Sequence, residues 1–169
     1  MEELLTNLIS PQSLAVLGGA IALAGGLAGS SIGIATAASA GAATLSEDPK
    51  QFRNVLLLSA LPMTQTFYGL IILILFITLA IPNMGNFLPD TANGLGAGFA
   101  MLACGIIGGV AQFVSAIYQG QVCASAISLL PKTKGKILTN GMMLAVFVEL
   151  FGILGLVGTI IALVLSGLM

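Results

Sequence analysis

Four long apolar runs dominate this chain of 169 residues and cover residues 14–45, 55–81, 95–130 and 137–168. A helix needs about 20 apolar residues to cross the hydrocarbon core of a bilayer, and every run reaches that length. Only 7% of the residues are charged, against about 25% in an ordinary soluble domain. The sequence therefore predicts an all-α integral membrane protein with four transmembrane helices, and it excludes a soluble or disordered chain.

The charged residues predict how the helices are oriented. All the basic residues lie in two short connections, at Lys50, Arg53, Lys132, Lys134 and Lys136. The positive-inside rule places these connections, 46–54 and 131–136, on the cytoplasmic side of the cell membrane, with both termini outside. Residues 1–11 begin with acidic rather than basic side chains, so we expect no cleaved signal peptide. With a net charge of −1, we expect no nucleic-acid partner.

The second half of the chain repeats the first at an offset of 85 or 86 residues. Ser30 corresponds to Ser115 at the smaller offset, and Gly69 corresponds to Gly155 at the larger one. Each copy contains two spans, so both copies insert with the same orientation, as a parallel repeat. We expect a first hairpin at 1–81, an external loop at 82–93 and a second hairpin at 94–169.

Helix 1 carries small residues at four-residue spacing, among them Gly25, Gly29 and Gly33. Small residues let helix backbones approach closely, which is how helices associate in lipid. The stripe fits either packing within one four-helix bundle or packing of helix 1 against its copies in neighbouring subunits. Because the stripe covers nearly the whole helix, we favour the second interpretation and expect an oligomer in which copies of helix 1 pack concentrically.

Glu149 is the one ionisable residue deep inside a predicted span. A charge at that depth costs at least about 2.5–3.5 kcal/mol, and the chain has no basic residue there to offset it. The acid is therefore protonated, holds a cation or meets an arginine of another protein. Met63 occupies the equivalent position of the first hairpin, so each chain offers one ionisable site.

Polar groups at a similar depth offer oxygen atoms to that acid. Four residues share one face of helix 2, namely Leu61, Thr64, Gln65 and Tyr68. Pro62 interrupts the backbone ladder and frees a carbonyl oxygen nearby, and helix 3 adds Gln119 and Ser115. Such oxygens suit a hard cation such as Na⁺, although amides also hydrogen-bond a protonated glutamate.

Three segments carry a family resemblance: LPMTQTFYG at 61–69, SAIYQG at 115–120 and FVELFGILG at 147–155. Together they resemble the rotor-ring proteolipid (the K or c subunit) of V-type ATPases, above all that of bacterial sodium-pumping enzymes. The resemblance implies that Na⁺ is held by Glu149, Gln119, Thr64, Gln65 and the carbonyl of Leu61. It also implies that Tyr68 hydrogen-bonds the glutamate. Met63 stands where the sodium-pumping relatives carry glycine, beside the site.

The resemblance implies a subunit that is not an enzyme by itself. A homo-oligomeric ring in the lipid bilayer carries one Na⁺ per subunit, with no organic cofactor. ATP hydrolysis in a soluble sector turns the ring through a central stalk, against a membrane stator that provides an arginine. The chain has no GxxxxGK[ST] motif of its own. The alternatives are a proton-carrying ring, a small ion-coupled secondary transporter and a purely structural or pore-forming oligomer.

Overall fold

The computed structural model describes residues 10–84 and 91–169, and the side chains of all of these except 91–93. Four long helices run through the described residues: α1 (Pro11–Glu47), α2 (Pro49–Asn83), α3 (Thr91–Ser128) and α4 (Leu138–Leu165). A short helical turn, Leu130–Thr133, lies between α3 and α4. Each of the four long helices is long and apolar enough to span a membrane, and the described residues contain no strand. The predicted all-α fold with four spans is confirmed.

The helices extend further into the connections than the sequence predicts. The 46–54 segment, expected as a loop, is almost wholly helical, because α1 ends at Glu47 and α2 begins at Pro49. At the other end α2 continues to Asn83 and α3 begins at Thr91, inside the expected 82–93 loop. The rest of that loop, at 85–90, and the N-terminal residues 1–9 lie outside the described residues.

Asp48 makes the turn between α1 and α2. Its carboxylate accepts hydrogen bonds from Nε2 of Gln51 at 3.0 Å and from the backbone N–H of Lys50 at 3.1 Å. The Gln51 bond, helped by the backbone bond and the charge of Lys50, holds the pKa of Asp48 below its ordinary value of 3.8. This cap therefore stabilises the turn at neutral pH, and the stabilisation is lost as the pH falls through the lowered value.

The chain is organised around a close contact between α1 and α3. These helices pack along most of their length, while α2 packs on α1 and α4 packs on α3. A Cβ added at Gly18 would lie 2.7 Å from the carbonyl oxygen of Met101, and one added at Gly29 would lie 2.6 Å from that of Phe113. Glycine is required at these positions because any side chain would separate the two backbones.

This contact corrects the expected role of the glycine stripe. Gly29 and Gly33 are buried against α3 of the same chain, not at the contact between subunits. The exposed side of α1 carries a second set of small residues, Ala20, Ala24, Ala28, Ser31 and Ala35. Two neighbouring rows of small residues share α1, and sequence spacing alone does not indicate which row faces α3.

Two apolar clusters fill the ends of the bundle, with a polar layer between them. The cluster nearer the Pro11 end of α1 includes Phe76, Met101, Cys104 and Leu163. The cluster nearer the Glu47 end includes Leu58, Cys123, Ile127 and Ala145. The two cysteines thus serve as small packing residues in different clusters. The layer between contains the buried side chains of Gln65, Gln112, Ser115 and Gln119.

We predict that Gly29→Leu destabilises the folded chain itself, by about 3 kcal/mol or more, because the new side chain meets the backbone of Phe113. Thermal unfolding of the detergent-solubilised chain measures the effect. The measurement is made on the dissociated single chain, where Ala28→Leu is the matched control: Ala28 lies on the exposed side of α1 there, and its substitution should leave the unfolding temperature unchanged. Unfolding of Gly29→Leu at the wild-type temperature would contradict the placement of Gly29.

Candidate functional site

Glu149 lies near the middle of α4 and contacts side chains from two other helices. Its carboxylate accepts a hydrogen bond from the Tyr68 hydroxyl to Oε1 at 2.9 Å and another from Nε2 of Gln119 to Oε2 at 3.3 Å. Hydrogen bonds to a charged acceptor are about twice as strong as neutral ones. The two donors therefore offset part of the cost of a carboxylate within a membrane span.

Gln65 orients the amide of Gln119. Both side chains are completely buried. Nε2 of Gln65 donates to Oε1 of Gln119 at 2.8 Å and to Oγ of Ser115 at 3.1 Å, which uses both of its protons. With its own oxygen engaged in this way, Gln119 turns its Nε2 toward Glu149, and Gln65 turns its Oε1 toward Thr64.

The Thr64 hydroxyl group lies close to two other oxygen atoms. Thr64 Oγ1 lies 3.2 Å from the carbonyl oxygen of Leu61 and 3.2 Å from Oε1 of Gln65. Pro62 lacks an N–H, and residues Leu61–Met63 form a tight 3₁₀ turn that presents the Leu61 carbonyl to Thr64. The single hydroxyl proton of Thr64 is shared between two acceptors. The oxygens of Thr64, Leu61 and Gln65 therefore keep unused lone pairs, and hard cations bind such oxygens.

The structure brings all six sequence-predicted site residues into one hydrogen-bonded network. Leu61, Thr64, Gln65 and Tyr68 come from α2, Gln119 from α3 and Glu149 from α4. The network occupies the place where α2 and α4 meet, and these two helices contact each other less extensively than any other neighbouring pair. The role of these six residues in ion binding stays a prediction.

Two further polar residues of α3 belong to this layer. Ser115, named from the sequence as an oxygen source, donates its hydroxyl to the carbonyl of Val148 at 2.9 Å. Gln112, which sequence reasoning missed, donates Nε2 to the carbonyl of Gly152 at 2.8 Å. Its position was the available signal, because Gln112 precedes Gln119 by seven residues and so lies on the same face of α3.

The site combines a single carboxylate with apolar surroundings. Within the described part of the chain no group of three or more His, Cys, Asp and Glu side chains forms a metal cluster. One carboxylate is neutralised by one positive charge, from a proton or from Na⁺. Around Glu149 the outer surface of α4 is apolar, with Phe147, Phe151 and Leu154 more than 60% exposed.

These features define a multi-pass membrane protein whose four helices hold one carboxylate in a polar layer at mid-span. The family model for the C subunit of ATP synthase matches residues 17–76 and 93–162, once in each half of the chain. The chain belongs to this family. The two matches confirm the duplicated hairpin.

Two curated relatives carry related names. The A-type ATP synthase subunit K of Methanocaldococcus jannaschii is 38% identical over 158 residues, which is 93% of this chain and 65% of that protein. The V-type sodium ATPase subunit K of Enterococcus hirae is 34% identical over 131 residues, or 76% of each chain. The chain thus spans just under two thirds of the length of the first relative. The resemblance to V-type proteolipids is confirmed.

Proposed function

We propose that this chain is the rotor proteolipid of a V-type or A-type ATPase and carries one Na⁺ per copy. It is a non-catalytic subunit that couples to ATP hydrolysis elsewhere in the complex. The observation that best supports the proposal is the environment of Glu149, a lone mid-span carboxylate joined to a network of oxygen-bearing side chains. A merely structural membrane oligomer would have no use for that acid.

Sodium is favoured over a proton by the oxygens that belong to the same hydrogen-bonded network as the acid. A proton site needs little beyond the carboxyl group and one acceptor. A sodium site must replace most of the hydration oxygens of the ion, and the crowded group of Thr64, Gln65 and Leu61 offers three in addition to the carboxylate. Oε1 of Gln119, which accepts a hydrogen bond from Gln65, is a fourth oxygen of the same network. The name of the Enterococcus hirae relative, a sodium ATPase subunit, agrees with this choice.

Translocation follows from the charge of the site. With Na⁺ bound, Glu149 is neutral and the site can pass through lipid at low cost. Without the ion, the carboxylate needs another cation, and every basic residue of the chain lies far away in the 50–53 and 132–136 connections. An arginine of a membrane stator would meet this need and separate ion entry from ion exit. We expect the basic connections to face the cytoplasm and the central stalk.

The internal repeat indicates how copies assemble into a ring. Within the chain, Gly25 of the first hairpin contacts Gly109 of the second, and Gly29 contacts Phe113. The same contact can form between two copies if each residue is replaced by its equivalent at an offset of 85 residues. Val110 would then contact Ala24 of the next copy, and Val114 would contact Ala28. All four of these residues, Val110, Val114, Ala24 and Ala28, are exposed in the single chain.

A groove beside α3 and α4 agrees with this arrangement. It measures about 580 Å³, and its lining includes Val110, Val114, Tyr118, Val148 and Phe151. The equivalent surface of the first hairpin is covered by the second hairpin of the same chain, through Gly25, Gly29 and Gly33. The groove is therefore the surface that the first hairpin of the next copy would cover, with small side chains of α1 against the larger ones of α3.

We predict that Glu149→Gln abolishes ATP-driven ion transport and leaves the ring assembled. The amide is nearly isosteric, but it removes the charge that an ion or a stator arginine must meet. Ion uptake into vesicles that contain the whole ATPase measures transport, and Glu47→Gln, at the exposed end of α1, is the control. Normal uptake by Glu149→Gln would contradict the assignment.

The ring contact predicts a specific cross-link. In a chain with both Ala28→Cys and Val114→Cys, oxidation should join neighbouring copies and give a ladder of oligomers on a non-reducing gel. Val16→Cys with Val114→Cys is the control, because Val16 and Ala28 are 12 residues apart on the same helix, about 18 Å along its axis. An equal ladder from both pairs, or none from the first, would argue against this register.

The identity of the ion is tested by chemical labelling. Carbodiimide modifies protonated carboxyl groups, so Na⁺ at millimolar concentration should protect Glu149 at neutral pH by occupying the site. The labelled fraction of the assembled protein is measured by mass spectrometry, with K⁺ as the ionic-strength control. Labelling that depends on pH and is indifferent to Na⁺ would show a proton-carrying ring with the same rotor role.

A further inference from the structure

Gln112 is a buried amide that the proposed ion site does not use. Three glutamines of the described residues are completely buried, namely Gln65, Gln112 and Gln119. Of these, Gln65 and Gln119 belong to the site network. Nε2 of Gln112 donates to the Gly152 carbonyl at 2.8 Å. Its Oε1 has no hydrogen-bond partner among the described residues. A buried unpaired acceptor reduces stability, so packing alone would favour an apolar side chain here.

Two glycines of α4 make room for this amide. A Cβ added at Gly152 would lie 2.9 Å from Oε1 of Gln112, and one added at Gly155 would lie 3.6 Å from its Nε2. The amide therefore rests directly on the backbone of α4, in a notch that depends on the missing side chain at Gly152. At the equivalent position of the first hairpin, which has no acid, the residue is Leu27.

A second bond anchors the same turn of α4. Ser115 donates to the carbonyl of Val148, the residue immediately before Glu149, and Gln112 donates to the carbonyl three residues after it. Both donors lie on α3, which also carries Gln119. The two bonds therefore fix the position of the α4 backbone around Glu149 relative to α3. This sets the distance between Glu149 and the Gln119 amide, which donates to it at 3.3 Å.

We propose that Gln112 is a positioning residue of the ion site, which acts through the Gly152 carbonyl to hold Glu149 at the correct distance from Gln119. The proposal rests on the proposed function, since it assumes that Glu149 binds the transported ion. Outer residues that orient metal ligands typically contribute about 10–100-fold to affinity. Gln112 does not contact the ion in this account, so its loss should weaken binding and leave the ligands in place.

The test is the Na⁺ concentration that half-protects Glu149 from carbodiimide in the assembled protein. Gln112→Leu should raise this midpoint about tenfold, with no fall in unfolding temperature, because leucine leaves no unpaired acceptor. Thr159→Val is the matched control. It also removes a buried hydrogen bond from α4 to α3, to the Cys104 carbonyl, but far from Glu149, so its midpoint should stay at the wild-type value.

A pair of substitutions tests whether Gln112 acts through Gly152. Gly152→Ala should displace the amide and raise the midpoint. Its new Cβ would also lie 3.2 Å from Oγ of Ser115 and 3.4 Å from Cγ of Gln65, so part of the rise acts through those side chains. In a Gln112→Ala chain the same substitution should therefore raise the midpoint by a smaller factor than in the wild-type chain. Independent, multiplying effects would overturn the proposal. If Gln112→Leu fails to fold, Gly152→Ala still tests the contact between the Gln112 amide and α4, because it changes the α4 side of that contact and leaves Gln112 in place.

The two proposals fail in different ways. A wild-type midpoint for Gln112→Leu, in a protein that Na⁺ does protect, overturns the positioning role and leaves the sodium site intact. If Na⁺ protects no variant, the sodium proposal fails instead. The pH at which Glu149 is half-labelled then decides the positioning role: a shifted midpoint in Gln112→Leu supports it, and an unchanged one overturns it.

Discussion

A carboxylate within a membrane-spanning bundle needs partners, and the interior of this chain is arranged to provide them. Glu149 has no basic residue near its depth, so Tyr68 and Gln119 donate to it directly. Gln65 then orients Gln119 by donating to its oxygen. Each donor is constrained by the next, which makes the network a unit: removing one amide leaves another polar group unpaired in a place where water does not replace it.

The close glycine contact between α1 and α3 makes space for this layer. The helices α1 and α3 touch through backbone atoms at Gly18, Gly25 and Gly29, so together they occupy little volume. Helix α2 packs on α1, and α4 packs on α3. The contact between α2 and α4 is sparse, and at the level of Glu149 it is made by polar side chains. The 3₁₀ turn at Leu61–Met63 then brings a backbone carbonyl to the same place as Thr64. The apolar clusters on either side isolate the layer along the bundle.

The spans and the site residues were predictable from the sequence, and their contacts were only partly so. Hydropathy alone locates four spans, and the depth of Glu149 follows from its place in the fourth. The six site residues follow from a shared helix face and the family resemblance. The partner of the glycine stripe does not, since Gly29 and Ala28 lie on adjacent rows of one helix and both are small. Nor does the contact of Gln112, whose role depends on the missing side chain of Gly152 in another helix.

Comparison of the two hairpins explains why a chain with two similar halves has one site. At an offset of 86 residues, Glu149 corresponds to Met63, and the α2 residues Leu61, Gln65 and Tyr68 correspond to Phe147, Phe151 and Leu154 of α4. Those three apolar residues are more than 60% exposed in the single chain. In the proposed ring, Met63 of the next copy would lie against them, so the contact between copies would be apolar where the contact within a chain is polar. An acid there would have no donors, and its burial would cost more than the site at Glu149. Position 63 therefore has neither an acid nor the hydrogen-bonding partners that an acid would need, and each four-helix chain would carry one ion.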